Sequence, residues 1–166
     1  MIAVVLLIMI TIVAAGIIVG VVVPFVREGL EGSGQCFDVL GDLSFAETPY
    51  NCYDADNDST GFSVKIDNEE IAGFRVSLFE AGTGSADSYD IEQGTSGTVF
   101  GMLGDDDVGG DLEVPKKGGV RTYVLYGHFE RIELFPILES GAKCDMSDSV
   151  NINSCIDVDL GLPTLQ

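Results

Sequence analysis

The first 26 residues, MIAVVLLIMITIVAAGIIVGVVVPFV, contain no charged residue. Tryptophan is missing from the whole chain, and histidine occurs once, at position 128. Lysine and arginine together number eight against 27 aspartates and glutamates, giving a net charge of -19. So few cations exclude nucleic acid as a partner, because displacing counterions from phosphate requires clustered Lys and Arg. A single histidine without a GxSxG turn offers no basis for a hydrolytic triad. There is no CxxC pair and no second histidine near a cysteine, which argues against a structural zinc site. The chain is expected not to be an enzyme and to hold no resident cofactor.

All charge begins at Arg27, so the two parts of the chain suit different solvents. Segment 1–26 is long enough for an apolar helix of about 39 Å, more than the ~30 Å hydrocarbon core of a bilayer. A lone strand in lipid would leave its backbone unpaired, so helix is the expected form. The sequence therefore predicts an α+β chain: a long N-terminal apolar helix over 1–26, a Gly-rich hinge over 27–34, and a β-rich head over 35–166. Ala15, Gly16 and Gly20 place small residues at GxxxG spacing, suited to close helix packing. The run starts at residue 1 without a basic flank, so a basic leader is expected in the precursor.

The head alternates apolar and polar residues in LSFAE, FSVKI, FRVSLFE, TVFGML, TYVLYG and RIELFPIL, separated by Gly, Asp, Asn or Pro. Period-two alternation predicts a β-sandwich or a partly open barrel. Two hairpins are expected, one from Phe62 to Glu80 around the DNEE turn and one over LEVPKKGGVRTYVLYG with KKGG at its tip. GTGSADS is expected to be a loop.

Cys36, Cys52, Cys144 and Cys155 are even in number and irregular in spacing, which predicts two disulfides and an oxidising compartment. Three pairings are possible, and short loop closure favours Cys36 with Cys52 and Cys144 with Cys155. Asp54, Asp56 and Asp58 alternate as at the start of an EF-hand, making them calcium candidates. Ser59 and Lys65 then stand where the motif requires Gly and Glu. Asn57 opens the N-glycosylation sequon Asn57-Asp58-Ser59.

The opening IAVVLLIMITIVAAGIIVG resembles the N-terminal segment of archaeal type IV pilins, and EIAGFRVSLFEAG, VPKKGGVRTYV and PILESGAKCD are similar to parts of their β domain. That resemblance implies trimming by a leader peptidase in the membrane, extraction by ATPase-driven pilus assembly machinery, and a homopolymer held by bundled N-terminal helices. Burying such a segment among copies of itself would remove on the order of 2,000 Å² of apolar surface, worth tens of kcal/mol at ~25 cal/mol per Å². The expected product is an extracellular adhesive filament. The alternatives are an archaellin of a motility filament and a single-span anchor carrying an external ligand-binding domain.

Overall fold

The computed structural model describes residues 34–95, 99–104 and 110–160, together with 9, 12, 13, 16, 17 and 20. The chain divides into two compact units, Met1–Asp38 and Val39–Gln166.

In the first unit, Met9, Ile12, Val13, Gly16 and Ile17 are helical and exposed, as are most of residues 34–38. Among the described residues they do not make up the long apolar helix expected over 1–26. Among the described residues no helix is long and apolar enough to cross a membrane. The α+β class is therefore corrected to a mostly β chain. The expectation rested on length, hydropathy and the need to pair the backbone in lipid. A segment apolar on every side needs apolar neighbours all round, which one chain does not supply, so its hydropathy does not by itself set its form. Ala15 and most of the 27–34 hinge lie outside the described residues.

The second unit is a β-sandwich. One sheet has six strands: β1 (Leu43–Phe45), β2 (Cys52–Asp54), β3 (Ser59–Ile66), β6 (Phe100–Met102), β7 (Gly119–Tyr126) and β10 (Asn153–Ser154). Their order is β10-β2-β3-β7-β6, with β1 also on β3. β1 pairs with the end of β3 near Ile66 and β2 with the end near Ser59, so the two short strands share one edge. The other sheet runs β5 (Ala86–Glu92), β4 (Ile71–Glu80), β8 (Phe129–Leu138), β9 (Asp148–Asn151).

Alternation assigns the faces. Phe62, Val64 and Ile66 from β3 and Tyr123 and Leu125 from β7 look inward, and from the other sheet come Phe74, Val76, Leu78, Ile132 and Leu134, all buried. Phe74 meets Tyr123 edge-on at 5.5 Å between ring centres, and Tyr89 meets Phe100 at 5.3 Å, so the two inner faces are in contact. The buried Tyr123 hydroxyl donates to the Glu113 carbonyl at 2.7 Å, and burial raises its pKa above the ordinary phenol value.

Neither expected hairpin forms as drawn. β3 and β4 lie in different sheets, and the DNEE link between them carries the chain across the sandwich. Asp42 holds this link, accepting from the Asp67 amide through its carbonyl and from Asn68 Nδ2 through its carboxylate. In the second case Lys116–Gly119 does turn, with Gly119 N donating to the Lys116 carbonyl. The preceding arm, however, forms no ladder with β7: Leu112 N donates to Thr95 O and Val114 N to Gln93 Oε1, while β7 reaches Glu113 only through the side chains of Arg121 and Tyr123. Pro115 has no amide to give to a ladder. Part of GTGSADS is strand, since β5 begins at Ala86.

Candidate functional site: the acidic turn and the tail that covers it

The acidic run DADND is the turn of the β2–β3 hairpin. Asp54 pairs with Ser59 across it, and Asp58 takes a positive φ of 45°, a conformation Asp tolerates better than most residues. Asp54 is 7% exposed and holds the turn from within. Its Oδ1 accepts from the amides of Asp56 at 3.0 Å and Asn57 at 3.4 Å. Its Oδ2 accepts from Asn57 Nδ2 at 2.8 Å and from the Leu160 amide at 3.4 Å. The Asn57 side-chain bond, opposed by burial and aided by the three backbone amides, holds the Asp54 carboxyl below its ordinary pKa.

This geometry accounts for the calcium candidates differently from the sequence. An EF-hand needs twelve residues to wrap its ion, whereas β3 begins five residues after Asp54. Asp54 spends both oxygens on N–H donors, and Asp58 Oδ1 accepts from the Tyr53 hydroxyl at 2.8 Å. That bond, with smaller contributions from burial and the charges of Asp58 and Asp54, raises the Tyr53 pKa. Among the described residues, no three His, Cys, Asp or Glu side chains are grouped so as to hold a metal ion. Asp54, Asp56 and Asp58 form a turn with no shared coordination centre.

Asn57 is half-buried, and its Nδ2 bridges Asp54 and Asp159 Oδ1, the latter at 3.2 Å. The third residue of its sequon, Ser59, is fully buried, and its hydroxyl has no hydrogen-bond partner among the described residues. Tyr53 stacks on the exposed His128 ring at 3.9 Å between centres with 13° between planes. His128 lies in the short link joining β7 to β8.

The C-terminal part of the chain closes over this region. β10 adds to β2 in parallel, Cys155 N donates to Tyr53 O at 2.8 Å, and Cys155 is bonded to Cys52. Tyr53, Asp54, Asp56, Asn57, Asp157 and Asp159 line a shallow cleft between turn and tail. The Cys52–Cys155 bond corrects both pairings favoured by loop length, since its partners are 103 residues apart. Proximity in the fold, created by β10 reaching β2, overrode proximity in sequence. Cys36 and Cys144 are disulfide-bonded too, and no cysteine is free. Two disulfides mark an oxidising or extracellular setting.

Of the helix-packing candidates, Gly16 and Gly20 have nothing within 4 Å of where a Cβ would stand.

Sequence reading overlooked the outer face of the six-stranded sheet. Cys52, Gly61, Val124 and Gly101 lie side by side across β2, β3, β7 and β6 on that face. Gly61 beside Val124 leaves a slot that Leu160, 1% exposed, fills. Gly61 in mid-strand was the available signal, since such a glycine marks a close approach. Compared with models of known families, with characterised proteins and with solved structures, the chain matches none.

Proposed function

We propose that this chain is a structural, non-enzymatic subunit of an extracellular type IV pilus-like filament of the archaeal pilin kind. Its uncharged N-terminal segment makes the subunit contacts and its acidic sandwich faces the medium. The observation that carries the reading is the segregation of charge: none of the first 26 residues is charged, and all 35 Asp, Glu, Lys and Arg follow them. Such a segment must leave water, and copies of itself are the partner always present at matching length. Contacts of this kind that do not close into a ring generate a helical polymer. The two disulfides support an outward location, and the polar side chains of the acidic turn are engaged with one another rather than aimed at a reactant. Leader peptidase and assembly machinery would act before the polymer forms, and adhesion is the role proposed for it.

The test is removal of detergent from the purified full chain, followed by electron microscopy. Filaments of uniform width are expected. A monodisperse chain that never polymerises would contradict the proposal and favour an anchored ligand-binding domain.

A further inference from the structure

The tail crosses between the two sheets over a single residue. β9 belongs to the four-stranded sheet and β10 to the six-stranded one, with only Ile152 between them, 8% exposed, its amide donating to Glu130 O at 2.9 Å. Beyond that crossing the chain is held to the sandwich by β10 with Cys155 and, further on, by Val158, Asp159 and Leu160, with Asp159 Oδ1 accepting from Asn57 Nδ2 at 3.2 Å and the Leu160 amide donating to Asp54 Oδ2 at 3.4 Å. Between these attachments Ile156 is 83% exposed and Asp157 takes a positive φ of 54°.

Leu160 belongs to an apolar cluster of its own. Its buried neighbour is Val124, with Tyr50, Leu103, Tyr126, Cys155 and Val158 packed around the pair. This cluster lies on the outer face of the six-stranded sheet, whereas the inter-sheet core is built from Phe62, Phe74, Tyr123 and their neighbours on the inner faces. No residue from 153 to 160 other than Leu160 is buried. The sandwich core is therefore complete without the tail.

We infer that residues 153–160 form a detachable strap, latched by Cys52–Cys155 and seated by Leu160, whose opening uncovers the apolar slot over Gly61 and Val124 without disturbing the inter-sheet core. Cys52 is 5% exposed, whereas Cys155 is only half-buried, so a reductant reaches the Cys155 sulfur first. The thiolate of a dithiol reductant attacks Cys155 Sγ, the S–S bond breaks, and Cys52 leaves as a thiolate that takes up a proton. The second thiol of the reductant then displaces Cys155 as a thiol. Two electrons pass to the protein, and the reductant becomes a disulfide. The reverse exchange with an oxidised dithiol closes the latch. Oxidation on export is then the step that finishes the outer face, and a chain still in a reducing compartment carries an open slot.

The experiment uses the full chain, kept in solution by a mild detergent and labelled for backbone amide relaxation. In the oxidised protein, strap and core amides are expected to be equally rigid, with order parameters of about 0.85. In the Cys52→Ser/Cys155→Ser double variant, amides of 153–160 should fall below about 0.6 while those of β4 and β8 keep their values. Leu160→Ala with the disulfide intact should loosen 156–160 and leave 153–155 rigid. A strap that stays rigid in the double variant would overturn the inference. So would loss of the folded spectrum throughout, which would make the disulfide a condition of the core. If Leu160→Ala leaves 156–160 as rigid as before, Leu160 is not the seat.

Discussion

The Leu160 side chain occupies the space that Gly61 leaves open: a Cβ at position 61 would stand 2.8 Å from Leu160 Cδ2 and 2.6 Å from the Tyr50 carbonyl oxygen. The backbone at Gly61 is ordinary strand, so the requirement for glycine is one of room.

Gly61→Ala should therefore destabilise the domain by about 1–3 kcal/mol, the usual cost of forcing a methyl group into a packed site. The check is a thermal melt of the single variant and of Gly61→Ala combined with Leu160→Ala. The combination should cost less than the sum of its parts, because removing the leucine branches relieves one of the two clashes. Strict additivity would mean that the two side chains do not compete for the slot.

The disulfide pairing has a direct readout. Proteolysis under non-reducing conditions should release one peptide pair linking Cys52 to Cys155 and none linking Cys52 to Cys36. Because the bond closes a loop of 103 residues, Cys52→Ser/Cys155→Ser should lower stability by roughly 2–5 kcal/mol. An unchanged denaturation midpoint would show that this bond does not constrain the unfolded chain.

Asp54 should matter to stability and calcium should not. Removing the carboxylate with Asp54→Ala leaves the amides of Asp56, Asn57 and Leu160 without their acceptor, a loss of about 1–3 kcal/mol. Millimolar calcium or a chelator should leave the melting temperature of the wild-type chain unchanged. A calcium-dependent rise would restore the acidic turn as a metal site.

Asp90 gives the domain an acid-sensitive contact. Arg75 Nε donates to its Oδ1 at 2.7 Å, and Lys143 Nζ to its Oδ2 at 2.7 Å. The Arg75 bond above all, with Lys143 assisting against burial, holds its pKa at about 2. The unfolded value is about 3.9, so the stabilisation is fully present above pH ~4 and is lost as pH falls from there through the folded pKa. With a third of the carboxylate side chain in contact with solvent, screening reduces the effect to about 1 kcal/mol. Asp90→Asn should cost that much at pH 7 and almost nothing near pH 1, below the folded pKa, read from denaturant titrations at both values. An equal cost at both would assign the effect to packing.

The strands were more legible than their partners. FSVKI, FRVSLFE, TYVLYG and RIELFPIL became β3, β4, β7 and β8 because alternation reports which side chains face inward. It does not report which sheet a strand joins, so DNEE looked like a hairpin turn although Asp42 and Glu139, both remote in sequence, hold it as a crossing. The edge strand β5 was hidden by its charges, since Asp87, Asp90 and Glu92 belong to a strand with buried neighbours on one side only. The acidic turn was visible as a run of aspartates, but its chemistry was not. Whether Asp54 holds a cation or its own backbone depends on the position of Leu160, 106 residues away. The long apolar helix, absent among the described residues, was expected across a related gap: uniform hydropathy states that a segment must leave water and not what shape it takes alone.

The central claim is that this chain polymerises outside the cell. Electron microscopy of material sheared from cells producing it, with an antibody against the acidic sandwich, tests that most directly. The account predicts thin helical filaments labelled along their length. Sheared material without labelled filaments, with the chain retained in the cell envelope as a monomer, would contradict it.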